Sequence, residues 1–246
     1  MTARRHLDTV LVLAALTGLW QALYAFAGEA AMSGPWPTLV HATDLLGQAR
    51  VWGHIAETGV AFAYALVISS VGGVGLGVWL GAHRLSGVVA EPILVALYSL
   101  PKVTLYPLIL LVFGLGLSAK VAFGAIHGVV PVTIFTMNAI RNLRPVYAKT
   151  ARTLRLSAAA TARTVLLPAA VPEVVSGLRV GFSLTLLGVL IGEMFASKRG
   201  LGFMIINAIG LDDVPTMMAV TLMLFVFAAL ANAGLLALDR RLHRSV

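Results

Sequence analysis

The chain has 246 residues, of which 59% are apolar and only 11% are charged, less than half of the roughly 25% usual in soluble domains. A mean hydropathy of +0.92 excludes a water-soluble globule, whose surface needs polar cover. The same figures exclude a disordered chain. The absence of cysteine excludes disulfides, thiolate metal sites and cysteine nucleophiles. The composition predicts an integral membrane protein.

The formal net charge of +8 raises the alternative of a nucleic-acid partner. The basic residues do not gather in one patch beside aromatic residues, as such a site would need. They lie in short breaks between long apolar runs, which is where membrane topology is encoded. The charge therefore indicates topology, and no nucleic-acid partner is predicted.

The sequence predicts about six membrane-spanning helices, each of which needs about 20 mostly apolar residues. The spans are residues 10–27, 60–82, 88–117, 121–140, 178–196 and 216–238. The first could instead be a cleaved signal peptide, because Ala25-Phe26-Ala27 is a small-residue segment. Its apolar region exceeds the roughly 7–15 residues typical of such signals, which favours a retained helix. Residues 28–56 are predicted to be an external segment.

The third span contains Pro92, Pro101, Lys102 and Pro107. Proline removes an amide donor and clashes with the carbonyl one turn earlier in a helix. A broken or kinked helix is therefore predicted within residues 88–117.

Six crossings place both termini on one side of the membrane. That side receives thirteen lysine and arginine residues, at positions 4, 5, 84, 141, 144, 149, 152, 155, 163, 179, 240, 241 and 244. The other side receives four, Arg50, Lys120, Lys198 and Arg199, and Lys102 lies near a boundary. Because cytoplasmic segments carry the excess of basic residues, both termini and the segment 141–176 are predicted to be cytoplasmic.

Enzyme signatures are absent from the sequence. It has no HExxH, no phosphate loop ending in Gly-Lys-Ser/Thr and no nucleophile elbow. The six histidines stand singly, without the spacing of metal ligands. No catalytic residue, metal site or cofactor is predicted in this chain.

Glycines recur every four residues in the second span, at Gly73, Gly77 and Gly81. Gly72 to Gly77 superficially resemble a nucleotide loop, but they lie inside an apolar run rather than between a strand and a helix. Small residues at this spacing let membrane helices approach closely. These three glycines are predicted to be a helix-packing face.

Two charged residues lie within or at the edge of apolar spans, Lys102 and Glu193. Burying a charge in hydrocarbon is costly, so such residues are candidates for function. We expect them to line a translocation pathway, where they would contact a solute or each other. The alternative for Lys102 is that its ammonium group extends to the membrane interface.

The segment 141–176 is predicted to form two short helices outside the membrane. Tyr147, Ala151, Leu154 and Ala158 form one stripe at helical spacing. Ser157 is a candidate N-cap for the second helix, which Pro168 is expected to end. Such a pair can lie among lipid headgroups or dock into a groove on a soluble partner. The small residues around the stripe favour a partner.

At these residues the sequence resembles the inner-membrane permease subunits of binding-protein-dependent ABC importers, in their nitrate, sulfonate and taurine branch. Their hallmark is a cytoplasmic Glu-Ala-Ala (EAA) loop with a following glycine and a Leu-Pro ending. The corresponding segments here are Lys149-Thr150-Ala151, Arg155, Leu167-Pro168, Gly177-Leu178-Arg179, Ser99-Leu100-Pro101-Lys102-Val103, Phe113-Gly114-Leu115-Gly116, Gly192-Glu193-Met194 and Gly200-Leu201-Gly202. These motifs appear in the family's order over residues 54–244.

Two residues depart from the family pattern. Lys149 stands in place of the glutamate of the EAA motif, and Arg155 in place of the glycine. In the family, glycine permits the turn between the two coupling helices. Because Arg155 replaces this glycine, the resemblance does not predict the geometry of the turn in this chain. The reversed charge of Lys149 suggests an ATPase partner with a matching, more acidic surface.

The resemblance implies an all-α permease that forms half of a pathway, as a homodimer. Two cytoplasmic ATPase subunits holding ATP and magnesium would bind the loop, and a periplasmic or lipid-anchored solute-binding protein would dock outside, in a bacterial inner membrane. The implied coupling residues are Ala151, Leu154, Arg155, Leu156, Ser157, Ala158, Leu167 and Pro168. A small anionic solute of the sulfonate, taurine or nitrate type is expected. The alternative is a secondary transporter or channel driven by an ion gradient.

Overall fold

The structure is a computed structural model that describes residues 2–143 and 145–243. Within these residues the secondary structure is helical. The helices are α1 (Thr2–Ala27), α2 (Pro35–Leu46), α3 (Ala49–Ala82), α4 (Arg84–Ser99), α5 (Tyr106–Phe113), α6 (Leu117–Arg141), α7 (Pro145–Thr153), α8 (Ala158–Thr161), α9 (Leu167–Ala196), α10 (Leu201–Gly210) and α11 (Val214–His243). A 3₁₀ turn (Lys102–Leu105) precedes α5, and a π-helical turn (Ala162–Leu166) precedes α9. The expected all-α membrane fold is confirmed.

The centre of the bundle is formed by α3, α6 and α9. Successive glycines of α3 meet successively later residues of α6, from Val132 to Ile140, so these two helices run parallel. Along α9 the order is reversed, because Gly177 meets Phe135 and Gly192 meets Lys120. The ends of α3 and α6 therefore lie at the same face as the start of α9. We call this end, with residues 141–166, the loop face, and the opposite end, with Glu57, Lys120 and Glu193, the ion-cluster face.

The glycine face of α3 lies directly against α6. A Cβ atom added at Gly77 would stand 2.5 Å from the Thr136 Cβ and 2.8 Å from the Thr133 carbonyl oxygen. Gly73 and Gly81 meet Val132 and Ile140 in the same way. Close backbone approach matters here because lipid provides no hydrophobic drive between helices, and association depends on packing.

The third crossing is broken at Pro101. Helix α4 and the segment Lys102–Phe113 meet at 90°. Leu100 has the extended ψ of 136° that steric contact with a following proline favours. Pro92 lies inside α4, and Pro107 lies in the first turn of α5, where a missing amide hydrogen removes no helical bond. The break therefore arises from Pro101.

Among the residues that the structure describes, five helices are long and apolar enough to cross a bilayer, or six if the bent pair forms one span. The apolar stretch of α1, Leu7–Ala27, is not buried against the rest of the chain. Helix α3 begins at Ala49 and has 34 residues, so it is about 50 Å long and exceeds the roughly 30 Å of hydrocarbon. Residues 28–56, expected as an external segment, thus contain α2 and the first turns of α3.

A pair of alanine substitutions tests the close contact between α3 and α6. We expect Gly77→Ala to lower the free energy of unfolding by about 1–3 kcal/mol, because the new methyl group has to displace Thr136 or the Thr133 carbonyl. Gly75→Ala is the matched control, since its Cβ would have no atom within 4 Å. It should be neutral or slightly stabilising. Thermal unfolding in detergent measures both, and equal losses in the two variants would contradict the contact.

Candidate functional site

The loop between α6 and α9 contains a tight turn at Arg155. The Leu156 amide donates a hydrogen bond to the Ala151 carbonyl at 3.0 Å, and the Leu154 amide donates to Thr150 at 2.9 Å. Arg155 has a φ of 51°, in the left-handed region. A left-handed residue after the last helical turn, with a bond spanning five residues back to the helix, is a Schellman ending. It closes α7 and turns the chain toward α8.

Arg155 occupies the position where the resembled loop has glycine. A left-handed conformation costs a non-glycine residue roughly 1–2 kcal/mol, and glycine adopts it without a steric penalty. The chain therefore retains a glycine-like backbone at Arg155 although the side chain has changed. The exposed arginine places an additional positive charge at the turn.

The second short helix starts at the expected residue but does not end where expected. The Ala160 amide donates to the Ser157 hydroxyl at 3.2 Å, which is the bond of an N-cap. After α8 and the π-helical turn, α9 begins at Leu167 and continues through Pro168. The prediction that Pro168 ends this helix was wrong, because Pro168 lies in a first helical turn, where its missing amide hydrogen is tolerated.

The expected apolar stripe of the loop divides into two sides. Ala151 is buried and Tyr147 is half-buried, whereas Leu154 is 63% exposed. Leu154 is separated from Ala151 and Tyr147 because α7 ends at Thr153, so Leu154 no longer follows the spacing of the helix. Ala151 thus packs within the chain, and Leu154 presents an apolar side chain at the surface.

The other expected coupling residues surround Leu154 on the loop. Arg155, Ser157 and Pro168 are exposed, Leu156 is half-buried, and Leu167 is 52% exposed. The side chain of Ala158 lies outside the described residues. Among the described residues, the loop therefore exposes the large apolar side chains of Val146, Leu154 and Leu167, together with cationic Lys149, Arg155 and Arg163. Such a surface suits a protein groove with apolar pockets and acidic edges.

Lys102 and Glu193, the expected pathway residues, have separate partners. The Lys102 ammonium donates to the Tyr98 carbonyl at 3.1 Å and lies 5.4 Å from the centre of the Tyr98 ring. Lys102 is thus folded back on α4. Glu193 is fully buried, and the cation near its carboxylate is Lys120, at 3.7 Å.

A buried ion cluster surrounds Glu193 at the ion-cluster face. Its carboxylate accepts hydrogen bonds from the Thr58 hydroxyl at 2.8 Å and from the Gly202 amide at 3.0 Å. Lys120, only 1% exposed, forms an ion pair with Glu57 at 2.9 Å. The Thr58 oxygen also accepts from the Leu201 amide at 2.8 Å. These bonds give the buried charges the partners that a low-dielectric interior requires.

The ion cluster joins four helices at one end of the bundle. Glu57 and Thr58 come from α3, Lys120 from α6, Glu193 from α9, and the Gly202 amide from α10. The turn before α10 needs glycine at Gly200, because its φ is 118° and a Cβ there would overlap the Glu193 carboxylate. The cluster therefore holds the ends of these four helices together.

Sequence reasoning missed Glu57, Thr58 and Lys120 as members of this cluster. Lys120 precedes the fourth predicted span by one residue, and by sequence it counts as an external topology charge. Nothing in the local pattern joins it to Glu57, 63 residues earlier. Only the parallel packing of α3 on α6 brings the two together.

The comparisons with known proteins agree on one family. A model of the "Binding-protein-dependent transport system inner membrane component" family matches residues 73–244. A "Probable ABC transporter permease protein" of Haemophilus influenzae is 27% identical, and the match covers 98% of each chain. The taurine transport system permease protein TauC of Escherichia coli is 28% identical over 79% of this chain and 70% of its own.

A solved structure shares the fold. The structure, described as inward-facing conformations of the MetNI methionine ABC transporter, superposes on this chain with a TM-score of 0.63 at 20% sequence identity. The superposition covers 80% of this chain and 96% of the other. The chain belongs to the family of inner-membrane components of binding-protein-dependent transport systems. It is a permease subunit of an ABC importer, as the resemblance implied, and thus a transport subunit rather than an enzyme.

Replacing Arg155 with glycine tests the left-handed turn. We expect Arg155→Gly to slow amide hydrogen exchange at Leu156 about fivefold, because relief of about 1 kcal/mol of backbone strain favours the closed turn. Arg163→Gly removes the same charge from a residue without positive φ. It should accelerate exchange locally, since glycine weakens a helical turn. Slower exchange in both variants, or faster exchange in Arg155→Gly, would contradict a strained turn.

Proposed function

We propose that this permease subunit takes up a small organic anion by coupling its pathway to ATP hydrolysis in two cytoplasmic ATPase subunits. ATP and magnesium would be held by those partners. A second, identical permease copy would complete the pathway, and a periplasmic or lipid-anchored solute-binding protein would deliver the solute. The observation that carries the proposal is the turn at Arg155, which holds apolar Leu154 at the surface of a short, basic two-helix loop.

The surface of the loop supports a protein partner rather than lipid. Leu154 lies beside exposed Arg155 and Ser157, which interrupt the apolar surface at the turn, whereas an interfacial helix requires a continuous apolar face. Leu154, exposed at the turn, is instead the kind of anchor that fits a pocket on a partner. Cationic residues around it would favour an acidic rim on the ATPase.

The distribution of charge supports a cytoplasmic loop face. Thirteen lysine and arginine residues fall on the side of both termini and four on the other, and the positive-inside rule assigns the richer side to the cytoplasm. The four include Lys120 and Arg199, which lie together at the ion-cluster face, where the Lys120 ammonium is 3.5 Å from the Arg199 carbonyl. Partner ATPases would then meet the loop where ATP is available.

The architecture supports a mechanical route from the loop to the opposite face. Helix α7 begins at Pro145, shortly after α6 ends at Arg141, and the π-helical turn leads into α9. Both helices continue without interruption to Lys120 and Glu193 at the ion cluster. A displacement of the loop on ATP-driven closure of the ATPases would therefore move α6 and α9 together, as a rigid body, and alternate the access of the pathway.

An anionic solute is supported by the taurine permease among the relatives, since taurine carries a sulfonate group. The ion-gradient alternative would need an acidic residue that exchanges ions with a pathway. Glu193 is fully enclosed by Thr58, Lys120 and the Gly202 amide, an arrangement that suits a structural role better.

Substitution of Leu154 tests the coupling surface. We expect Leu154→Asp to reduce co-purification of the ATPase subunits at least tenfold, because it replaces an apolar anchor with a charge that would be desolvated in the pocket. Leu211→Asp is the control, since Leu211 is 70% exposed in the turn between α10 and α11, near the ion-cluster face. It should co-purify like the wild type. If Leu154→Asp also retains its ATPases, the loop is not the coupling surface.

A further inference from the structure

A histidine holds the turn that connects α9 to α10. We call residues 197–200 the glycine turn. The Gly200 amide donates a hydrogen bond to the Nδ1 atom of His54 at 3.0 Å. The His54 ring also stacks on Phe203, with 6.0 Å between the ring centres and 13° between the ring planes. His54 is half-buried near the start of α3, so this bond joins α3 to the turn before α10.

The other bonds of the glycine turn go to groups that do not change charge in mild acid. The Arg199 amide donates to the Ser197 hydroxyl at 3.2 Å. The Arg199 carbonyl accepts from the Lys120 ammonium at 3.5 Å. Of the acceptors in these three bonds, a hydroxyl, a carbonyl and an imidazole, the imidazole of His54 is the one that gains a proton between about pH 8 and pH 5.

The direction of the bond to Gly200 fixes the protonation state of His54. A backbone amide can only donate, so Nδ1 is the acceptor and the neutral ring carries its proton on Nε2. A second proton would bind at Nδ1 and would place two N–H groups face to face. The Gly200 amide, which is buried, would then have no acceptor, and this is unfavourable. The bond therefore exists only while the ring is neutral.

Charged groups of α3 and of the glycine turn act on the His54 ring. Arg50 and Glu57 lie about one helical turn before and after it on α3, and Arg199 lies in the glycine turn. The two arginines repel a second proton, whereas the Glu57 carboxylate attracts one. Phe203, the ring contact from α10, carries no charge. Because an unperturbed histidine changes charge at about pH 6.5, the ring is neutral in neutral solution and charged in sufficiently acidic solution.

We propose that His54 is a proton-sensitive latch, which holds the glycine turn while the ring is neutral and releases it when the ring is protonated. The turn carries Lys198 and Arg199, both exposed, and together with Glu57 and Lys120 it borders a cavity of about 570 Å³. Release would therefore change the charged surface of the ion-cluster face. The proposal rests on the proposed outward orientation of this face only for the compartment whose pH is sensed, which is the periplasm.

Hydrogen exchange on the full chain in nanodiscs tests the latch without any solute or partner. The protection of the Gly200 amide, relative to its intrinsic exchange rate at each pH, is measured at pH 7.5 and pH 5.5. Fragmentation of peptides containing residues 197–203 resolves this amide. We expect its protection in the wild type to fall about tenfold in acid, because the closed turn loses one bond. The Leu211 amide, bonded to the Asn207 carbonyl at 3.1 Å, should be equally protected at both pH values.

Two substitutions separate the acceptor from the ring. His54→Asn offers an amide oxygen close to the position of Nδ1 and does not titrate, so it should protect Gly200 at both pH values. His54→Phe keeps a ring beside Phe203 without an acceptor, and protection should be low at both pH values. His41→Asn is the matched control. His41 bonds to the Thr216 hydroxyl at 3.0 Å, which can donate or accept, so this variant should keep the acid response of the wild type.

The latch would be refuted by equal protection of Gly200 at the two pH values in the wild type, or by an acid response that survives in His54→Asn. Wild-type protection in His54→Phe at pH 7.5 would show that the imidazole does not hold the turn. Labelling of Lys198→Cys with an impermeant maleimide in intact cells reports the orientation of this face separately. An inward orientation would assign the latch to the cytoplasm and would leave the exchange result unchanged.

Discussion

The structure depends on one constraint, which is that hydrocarbon offers no water to solvate a polar group. Every charge held at membrane depth must therefore find its partners within protein or along a wet route. At the ion-cluster face the constraint is met by enclosure, since Glu193 receives a hydroxyl, a backbone amide and the Lys120 ammonium within 3.7 Å. These enclosed charges organise the ends of the helices at that face.

Close helix packing connects the two faces. Glycines along α3 and α9 let both helices pack closely against side chains and carbonyl oxygens of α6, and these contacts run along the length of α6, from Lys120 to Ile140. A bundle packed in this way has little room to deform internally, because its interior is already as dense as a crystal. A force applied at the loop would therefore displace the three helices together. Joint displacement of the helices suits an ABC importer, in which ATP is hydrolysed outside the membrane and the pathway lies within it.

Much of this architecture could be predicted from the sequence because the signals are local. Apolar length predicts the long helices, Pro101 predicts the break before Lys102, and Ser157 predicts the start of the second loop helix. What could not be predicted depends on contacts between distant segments or on local conformations that the residue type does not indicate. Lys120 and Glu57 are brought together only by the parallel packing of α3 on α6. Leu154 separates from Ala151 because Arg155 is left-handed, and an arginine gives no indication of that conformation. The expectation that Pro168 ends a helix fails because proline can also begin one, and sequence alone does not distinguish the two.

The central claim is that the loop containing Leu154 faces the cytoplasm, where ATPases can reach it, while the ion-cluster face is outside. Single-cysteine labelling in intact cells with a membrane-impermeant maleimide tests this most directly, since the chain has no other thiol and both Leu154 and Lys198 are exposed. The account predicts that Lys198→Cys reacts from outside, whereas Leu154→Cys reacts only after the membrane is permeabilised. Labelling of Leu154→Cys from outside in intact cells would contradict the orientation, and with it any coupling of this loop to ATP.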